Sequence, residues 1–490
     1  MLKSQKSQEY LVRLQNQAII DSMRLYNSLT KEIDEFKPAS QIVGLYTCGP
    51  TVYDYVTIGN WRTYILGDIV YRALKYNGLE VNYVMNLTDV GHLTGDNLGD
   101  ADTGEDRMEK AKKREGKGAW QIAQFYIDDF LSSYEDLNLL PPNTFARATE
   151  HISEQIDLIK KLEEKGLTYN IDDGVYFDTI AFEAKGYKYG ELSNLDKIKA
   201  GARVEFNQQK KNPRDFALWK FSPKDEKRDM EWESPWGTGF PGWHIECSAM
   251  SMKYLGEQFD IHVGGEDLKS THHPNEIAQS EGATDKSPFV KCWMHGAFLQ
   301  VDGGKMGKSL GNAYSLHDIV EKRFSPMALR YFYFSSHYRS SLNFTWEALE
   351  ASQNAYNRLL VHIENLGEES GSTDSNYLKS FNDFIGNDLE VSRALALLWD
   401  LLKDDSIGDS VKLATVAEFD KVLGLDLIET SRKNKNQQLP KEVEDLASKR
   451  HLAREDKDWV LSDSLRQDIE KLGYEVKDLP NGDQMIRKNN

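Results

Sequence analysis

Ile42-Val43-Gly44-Leu45-Tyr46 is a short run of β-forming residues, and Val81-Asn82-Tyr83-Val84-Met85 is a second. Between them lie a Gly49-Pro50 loop and the helical stretch Tyr64–Tyr76. Strand, loop, helix, strand is a βαβ unit, which predicts a parallel α/β sheet. Ligands bind such sheets at the carboxyl ends of the strands. Cys48 falls just past the first run and Thr88 just past the second. Both are expected at one edge of the same sheet, where chemistry belongs.

Outward from this unit the texture changes several times. Residues 1–25 read as an N-terminal extension that forms a short amphipathic helix, with Leu11, Leu14, Ile19 and Met23 as apolar positions. Asp89–Gly118 is a Gly/Asp-rich loop that turns into a charged helix over Glu105–Glu115. Residues 119–166 read as helical, and 170–240 carry short strands and Trp/Pro/Gly loops. The α/β texture returns over Pro241–Gly311. After Ser315 the chain is mostly helical, with Leu359, Leu360, Ile363 and Leu366 at helical spacing. Ser431–Gln438 reads as a polar linker, and 439–490 as helices ending in a short β element.

At 490 residues the chain is too long for one ordinary domain. Its 40% apolar content suffices for real cores. A formal charge of -18 argues against nucleic-acid binding by bulk charge, but local Lys/Arg patches decide phosphate contact. Three cysteines, Cys48, Cys247 and Cys292, form no disulfide framework and suit a reducing cytoplasm. No apolar run is long enough for a membrane span, and the N-terminus lacks the apolar core of a secretory signal.

Three features carry chemistry. His272 and Glu276 stand four apart, so on a helix they share a face and can grip one ion. The same spacing suits a solvated helix face. Zinc takes thiolate, imidazole and carboxylate, and either Cys48 or Cys247 could complete a set, but spacing alone assigns neither. Asp302-Gly-Gly-Lys-Met-Gly-Lys-Ser-Leu-Gly-Asn312 places Lys305 and Lys308 among glycines, a basic loop suited to clamping polyphosphate or, more blandly, a surface turn. Thr57-Ile-Gly-Asn60 lies near a helix start, where Gly59 allows close backbone approach and the dipole favours anions. There is no GxxxxGK[ST] loop.

Taken in order, the motifs resemble the class I cysteinyl-tRNA synthetase family along nearly the whole chain. Tyr46-Thr-Cys-Gly-Pro-Thr-Val-Tyr-Asp54, Gly242-Trp-His-Ile-Glu-Cys-Ser-Ala-Met250 and His272-His-Pro-Asn-Glu276 resemble its zinc-bearing segments. Lys305-Met-Gly-Lys-Ser309 resembles its Lys-Met-Ser-Lys-Ser loop. Lys199-Ala-Gly-Ala-Arg-Val-Glu205 and Asp215-Phe-Ala-Leu-Trp-Lys220 resemble its insertion.

The resemblance implies a Rossmann-like parallel-sheet catalytic domain over 26–315, with a mixed insertion at about 119–240. A helical bundle that binds tRNA would follow over 316–430, then a small C-terminal anticodon-binding module over 439–490. It implies one zinc ion per chain on Cys48, Cys247, His272 and Glu276, binding the substrate thiolate. Thr88, Trp243, His262 and Asp267 would surround the amino acid, with Asp267 on its ammonium. Lys308 and Lys305 would stabilise phosphate charge, with Thr57, Gly59 and Asn60 at the nucleotide and Mg²⁺ accompanying ATP. Cysteine, ATP and cysteine tRNA are the implied partners of a cytoplasmic monomer.

The family signature's histidines are Thr57 and Asn60 here, and its loop serine is Gly307. Threonine still donates a hydrogen bond but carries no charge. Cys292, His273 and His295 match no ligand position and read as structural groups. Two other functions share part of this pattern. A ligase joining cysteine to a small amine would have no use for the C-terminal half. A non-catalytic tRNA-binding paralogue would need neither the lysines nor the ligands.

Overall fold

The computed structural model describes residues 23–91, 106–193, 207–223, 227–307, 310–367, 369, 371–436, 439–478 and 484–488. Leu11, Leu14, Ile19, the Lys199–Glu205 motif, Lys308 and most of the Gly/Asp-rich loop lie outside the described residues.

The described chain opens not on a helix but on an antiparallel hairpin, β1 (Arg24–Asn27) and β2 (Glu32–Glu35). Met23 and Leu25 alternate into the core while Arg24 stays exposed, a period of two that overrides the helical reading of residues 23–25. Then β3 (Ile42–Thr47), α1 (Ile58–Tyr76) and β4 (Glu80–Leu87) make the βαβ unit, its strands parallel from Ile42↔Glu80 to Thr47↔Met85. Helix α1 begins six residues before the predicted Tyr64 because Thr57 caps it, its side chain accepting from the Asn60 amide.

Next come α2 (Arg107–Glu115) and α3 (Ala119–Asp136). Residues 119–166 are not all helical. Thr144–Arg147 forms β5, which pairs parallel with β4 and completes one edge of the main sheet. Four residues are too few to show a period, so only pairing reveals the strand. After α4 (Ile152–Glu164), strands β6 (Thr168–Ile171), β7 (Gly174–Phe177), β8 (Phe216–Phe221) and β9 (Gly239–Pro241) build a separate antiparallel sheet in that order. A short helix, α5 (Thr179–Ala184), follows β7.

The chain then returns to the main sheet through α6 (Trp243–Leu255), β10 (Phe259–Gly265), α7 (His272–Thr284) and β11 (Val290–Gly296). The order β11-β10-β3-β4-β5, parallel at every pair, is a doubly wound sheet. The winding reverses between β3 and β10, and a crevice opens at the carboxyl ends of strands at such a switch point. Cys48 follows β3 there, its amide bonded to the Val263 carbonyl at 3.0 Å.

A small hairpin, β12 (Leu299–Val301) and β13 (Gly304–Lys305), leaves the sheet. It is followed by α8 (Leu316–Glu321), α9 (Pro326–Tyr333) and β14 (Leu342–Phe344), which pairs with β12. Five helices complete the helical region: α10 (Trp346–Asn365), α11 (Ser375–Gly386), α12 (Val391–Lys403), α13 (Asp409–Leu423) and α14 (Leu427–Asn436). The stretch read as a linker from Ser431 is helical as far as Asn436, a continuation of α14.

One apolar core runs unbroken from the sheet into this region. At the seam Asp68 of α1 is fully buried and accepts from Arg72 (2.8 Å), Arg330 (2.5 Å) and the Leu140 amide (2.8 Å). Residues 439–488 form α15 (Lys441–Glu455), α16 (Trp459–Lys471) and the hairpin β15 (Tyr474–Asp478) with β16 (Gln484–Lys488), around their own small core.

Candidate active site

A cavity of about 1070 Å³ opens at the switch point. Its lining includes Cys48 after β3, Trp243 and Cys247 on α6, and Asp267 and His272 beyond β10. It also includes Thr57 and Asn60 at the start of α1, and Lys305, Met306 and Gly307 of the hairpin. Segments far apart in sequence thus meet around one space.

The loop carrying Cys48 is tied to the end of β4. The Gly49 amide donates to Asn86 Oδ1 (2.8 Å), the Thr88 amide to the Pro50 carbonyl (2.9 Å), and the Val52 amide to the Thr88 carbonyl (3.1 Å). A Cβ on Gly49 would lie 1.9 Å from the Asn86 carbonyl oxygen, so the close approach requires glycine. Thr88, expected beside the amino acid, is buried next to this loop and accepts from Asn86 Nδ2 (2.9 Å), and Asn86 lines the cavity.

Helices α6 and α7 pack side by side and bring Cys247 to the His272/Glu276 pair. The donor atoms of Cys48, Cys247, His272 and Glu276 all lie within 4.8 Å of one another, and all four residues are buried. A second quartet, Cys48, His262, His273 and Glu276, satisfies the same distance. The two differ in access: Cys48, Cys247 and His272 line the cavity, whereas His262 and His273 do not.

Glu276 joins both sets. Its Oε1 lies 2.9 Å from His272 Nε2, and its Oε2 lies 3.0 Å from His262 Nε2. His262, expected at the amino acid, is instead fully buried behind the cavity and stacked on Trp293 at 4.5 Å. Beyond it His273 Nδ1 meets His295 Nε2 (2.8 Å), and His295 Nδ1 meets Ser28 Oγ (2.8 Å).

The charges of the cluster are set by one another. Burial raises the Glu276 carboxyl, but the His262 and His272 charges outweigh it and hold the pKa down to about 2. Burial likewise lowers His272, but Glu276 and Cys247 carry it up to about 10. A hydrogen bond from Cys48 pulls the Cys247 thiol down to about 6, against burial, while burial raises Cys48. A carboxylate, an acidified thiol and an imidazolium therefore balance one another in a buried cluster at the cavity wall. His273 and His295 are lowered, chiefly by burial. Asp267 faces the cavity, and desolvation raises its carboxyl.

His244 was not singled out from the sequence. It is buried and its Nδ1 lies 2.9 Å from His272 Nδ1, which orients that ring from behind. Its place one helical turn before Cys247 is the signal that could have found it. Cys292 is buried in the main apolar core, as expected.

At the α1 end of the cavity, Thr57 Oγ1 accepts from the Asn60 amide (3.4 Å) and donates to Asn60 Oδ1 (2.7 Å). The space over Gly59 is taken by Met306, whose methyl would lie 2.3 Å from a Cβ there. The hairpin turns through Asp302 and Gly303, both at positive φ, and Asn312 pins its end, accepting from Gly307 (2.8 Å) and donating to the Lys305 carbonyl (3.2 Å). Arg107, Lys110 and Arg114 of α2 line another part of the wall.

Comparisons with known proteins place the chain in a family. The family described as "tRNA synthetases class I (C) catalytic domain" matches residues 35–354. A protein of Burkholderia lata named "Cysteine--tRNA ligase 1" is 46% identical over 469 residues, covering 95% of this chain and 97% of that one. A "Cysteine--tRNA ligase" of Treponema denticola is 42% identical over 490 residues, covering 93% and 98%. Among solved structures, a Mycobacterium tuberculosis methionyl-tRNA synthetase in complex with methionyl-adenylate shares the fold, with a TM-score of 0.53 at 14% identity over 80% of this chain and 93% of that one. On the strength of these near full-length matches, the chain belongs to the cysteine–tRNA ligase family of class I aminoacyl-tRNA synthetases.

Proposed function

We propose that this chain activates cysteine with ATP and transfers it to the terminal ribose of cysteine tRNA. The observation that carries the reading is the buried quartet of two thiols, an imidazole and a carboxylate, opening on the same cavity as a helix N-terminus and a lysine hairpin.

Cys48, Cys247, His272 and Glu276 would hold one zinc ion. Two sulfurs, one nitrogen and one oxygen suit that metal, and the acidified Cys247 and ionised Glu276 supply anionic donors. This quartet is favoured over the deeper one because a metal that meets a substrate needs an open position. When bound, the ion supplies a soft partner for a thiolate, which serine's neutral hydroxyl cannot match. Ordinary contacts separate such near-isosteres by only about a hundredfold.

The chain's own groups would do the rest. Trp243, tilted against His272 at 4.4 Å between ring centroids, would wall the amino acid. Asp267 would take its ammonium, a cation that relieves the desolvated carboxyl. His262 would act from behind, by keeping Glu276 ionised and aimed, and Thr88 by holding the Cys48 loop. Thr57, bonded to Asn60, would set that side chain so that its amide and the α1 N-terminus face phosphate. Lys305 would meet the phosphates from the hairpin, and Lys308 joins it on the motif alone. The substrate carboxylate oxygen attacks the α-phosphorus of Mg²⁺-ATP, and the bond to the β-phosphate oxygen breaks, releasing pyrophosphate. The ribose hydroxyl of tRNA then attacks the carbonyl carbon, and AMP leaves. The chain would work as a monomer in the cytoplasm; among the described residues no helix is long and apolar enough to cross a membrane.

The test is ATP–pyrophosphate exchange on zinc-loaded protein. Exchange is expected with cysteine and not with serine, and chelation should abolish it. No exchange with cysteine would sink the reading.

A further inference from the structure

Arg62 sits on α1 two residues beyond Asn60, and it does not line the cavity. It is 5% exposed. Its guanidinium donates to four backbone carbonyls: Nη1 to Ala297 (2.7 Å) and Phe298 (3.0 Å), Nη2 to His337 (3.3 Å) and Ser340 (2.6 Å). Burial lowers its pKa to about 10. A neutral side chain would fill that space without the cost of desolvating a cation. What the guanidinium adds is a rigid fork of donors that fixes several backbone segments at once.

The segments it grips are specific. Ala297 and Phe298 join β11 to the β12–β13 hairpin, in which Gln300 pairs with Lys305. His337 and Ser340 belong to the turn before β14, the strand that pairs with β12. Turn and junction also bond directly, through the Ala297 amide to the Tyr338 carbonyl (2.8 Å). The far side of the turn is held by Asp388 of the helical region, which accepts from Tyr338 Oη (2.6 Å) and Arg339 Nε (2.7 Å). Asp388 is 1% exposed.

We propose that Arg62 is a positioning residue for phosphate chemistry: it locks the root of the Lys305 hairpin to the helix that begins at Thr57-Ile58-Gly59-Asn60, so that the two phosphate-facing parts of the cavity move as one body. This rests on ATP being the substrate. The hairpin strand that carries Lys305 is two residues long, so an error at its root is carried to its tip. Neither Arg62 nor any residue whose carbonyl it holds lines the cavity, so its effect is transmitted by geometry and spares the cysteine end of the site.

The test compares Arg62→Met and Arg62→Lys in the full-length, zinc-loaded chain. Exchange kinetics, zinc content and thermal midpoint are read for each. Below its own midpoint, Arg62→Met should keep its zinc and a KM for cysteine within about twofold, while kcat for exchange falls by about tenfold to a hundredfold, the scale of a small misplacement of reacting groups. Arg62→Lys, with one ammonium for four carbonyls, should fall between Arg62→Met and wild type. Asp388→Asn should lower kcat in the same direction by a smaller factor. Wild-type kcat in Arg62→Met would overturn the proposal. So would equal losses of zinc, cysteine KM and kcat, because that marks general loosening. If Arg62→Met does not fold, an unchanged kcat in Arg62→Lys overturns it. A wild-type protein without exchange would overturn the ATP reading, and this proposal with it.

Discussion

Glu276 has protein on every side, yet its carboxyl is held down to about 2 by the two histidines that flank it. A buried charge persists only when paired in this way, and the pairing fixes which oxygen faces which ring. His272/Glu276 spacing was legible because one helical turn is a local property. Spacing alone could not assign Cys48, which the sequence yields only through resemblance, because its approach depends on β3 and β10 being sheet neighbours. Cys247→Ala removes one donor of the quartet, and bound zinc should fall from stoichiometric to trace in elemental analysis. Unchanged zinc would exclude this ligand set. Gly49→Ala forces a Cβ to within 1.9 Å of the Asn86 carbonyl oxygen, so the Cys48 loop must shift. An overpacking cost of about 1–3 kcal/mol is expected in denaturant unfolding, together with weaker zinc binding in a chelator competition. Wild-type values for both would show that the loop gives way freely.

Among the elements, β3, α1 and β4 were legible because their periods are clean and a βαβ unit has one handedness. The face of β10 was not. Ile261 and Val263 point into one core, and His262, between them, points to the other side, against Glu276 of the buried quartet. Alternation separates the two faces but does not say which one holds the site. The C-terminal hairpin carries its own electrostatic lock. Asp478 accepts from Arg450 (2.8 Å), Arg454 (2.7 Å) and Arg466 (3.0 Å), and Arg450 is 1% exposed. Chiefly through Arg450, the Asp478 carboxyl is held below its ordinary value. A lowered folded pKa stabilises above the unfolded value of about 3.9 and is lost as pH falls through the folded one. Asp478→Asn should therefore loosen residues 441–478 at pH 7, seen as faster limited proteolysis. The gap from wild type should close at acid pH, as the wild-type carboxyl takes up its proton. A gap that persisted under strong acid would assign the effect to shape instead of charge.

For the whole molecule, the continuous core and the buried Asp68–Arg72–Arg330 cluster join the sheet to the helices that follow it. Arg330 and Arg72 also reach the Leu423 and Lys421 carbonyls at the end of α13, beside Gly424, where a Cβ would lie 2.6 Å from Arg330 Nη2. Residues 439–488, by contrast, keep a small core of their own. Deleting 439–490 is therefore expected to leave cysteine-dependent exchange close to wild type while tRNA charging falls severely, read as kcat/KM for tRNA. Equal losses in both assays would make the tail a structural support.

The sequence by itself determined what is local: the βαβ unit, the shared face of His272 and Glu276, the lysines among glycines, and the run of helices after Ser315. Hydrophobic period and residue chemistry act over a few residues, so they can be read in one dimension. Tertiary structure alone decided what depends on strand order and on which face is covered. It made β5 a member of the main sheet, set Thr88 and His262 behind the cavity instead of in its wall, and turned residues 24–27 into a strand. It also brought Cys48 beside Cys247 and ran Arg62 to four carbonyls of two distant segments. Contacts of that kind are settled by the packing of the whole chain, because an isolated segment offers nothing to pair with.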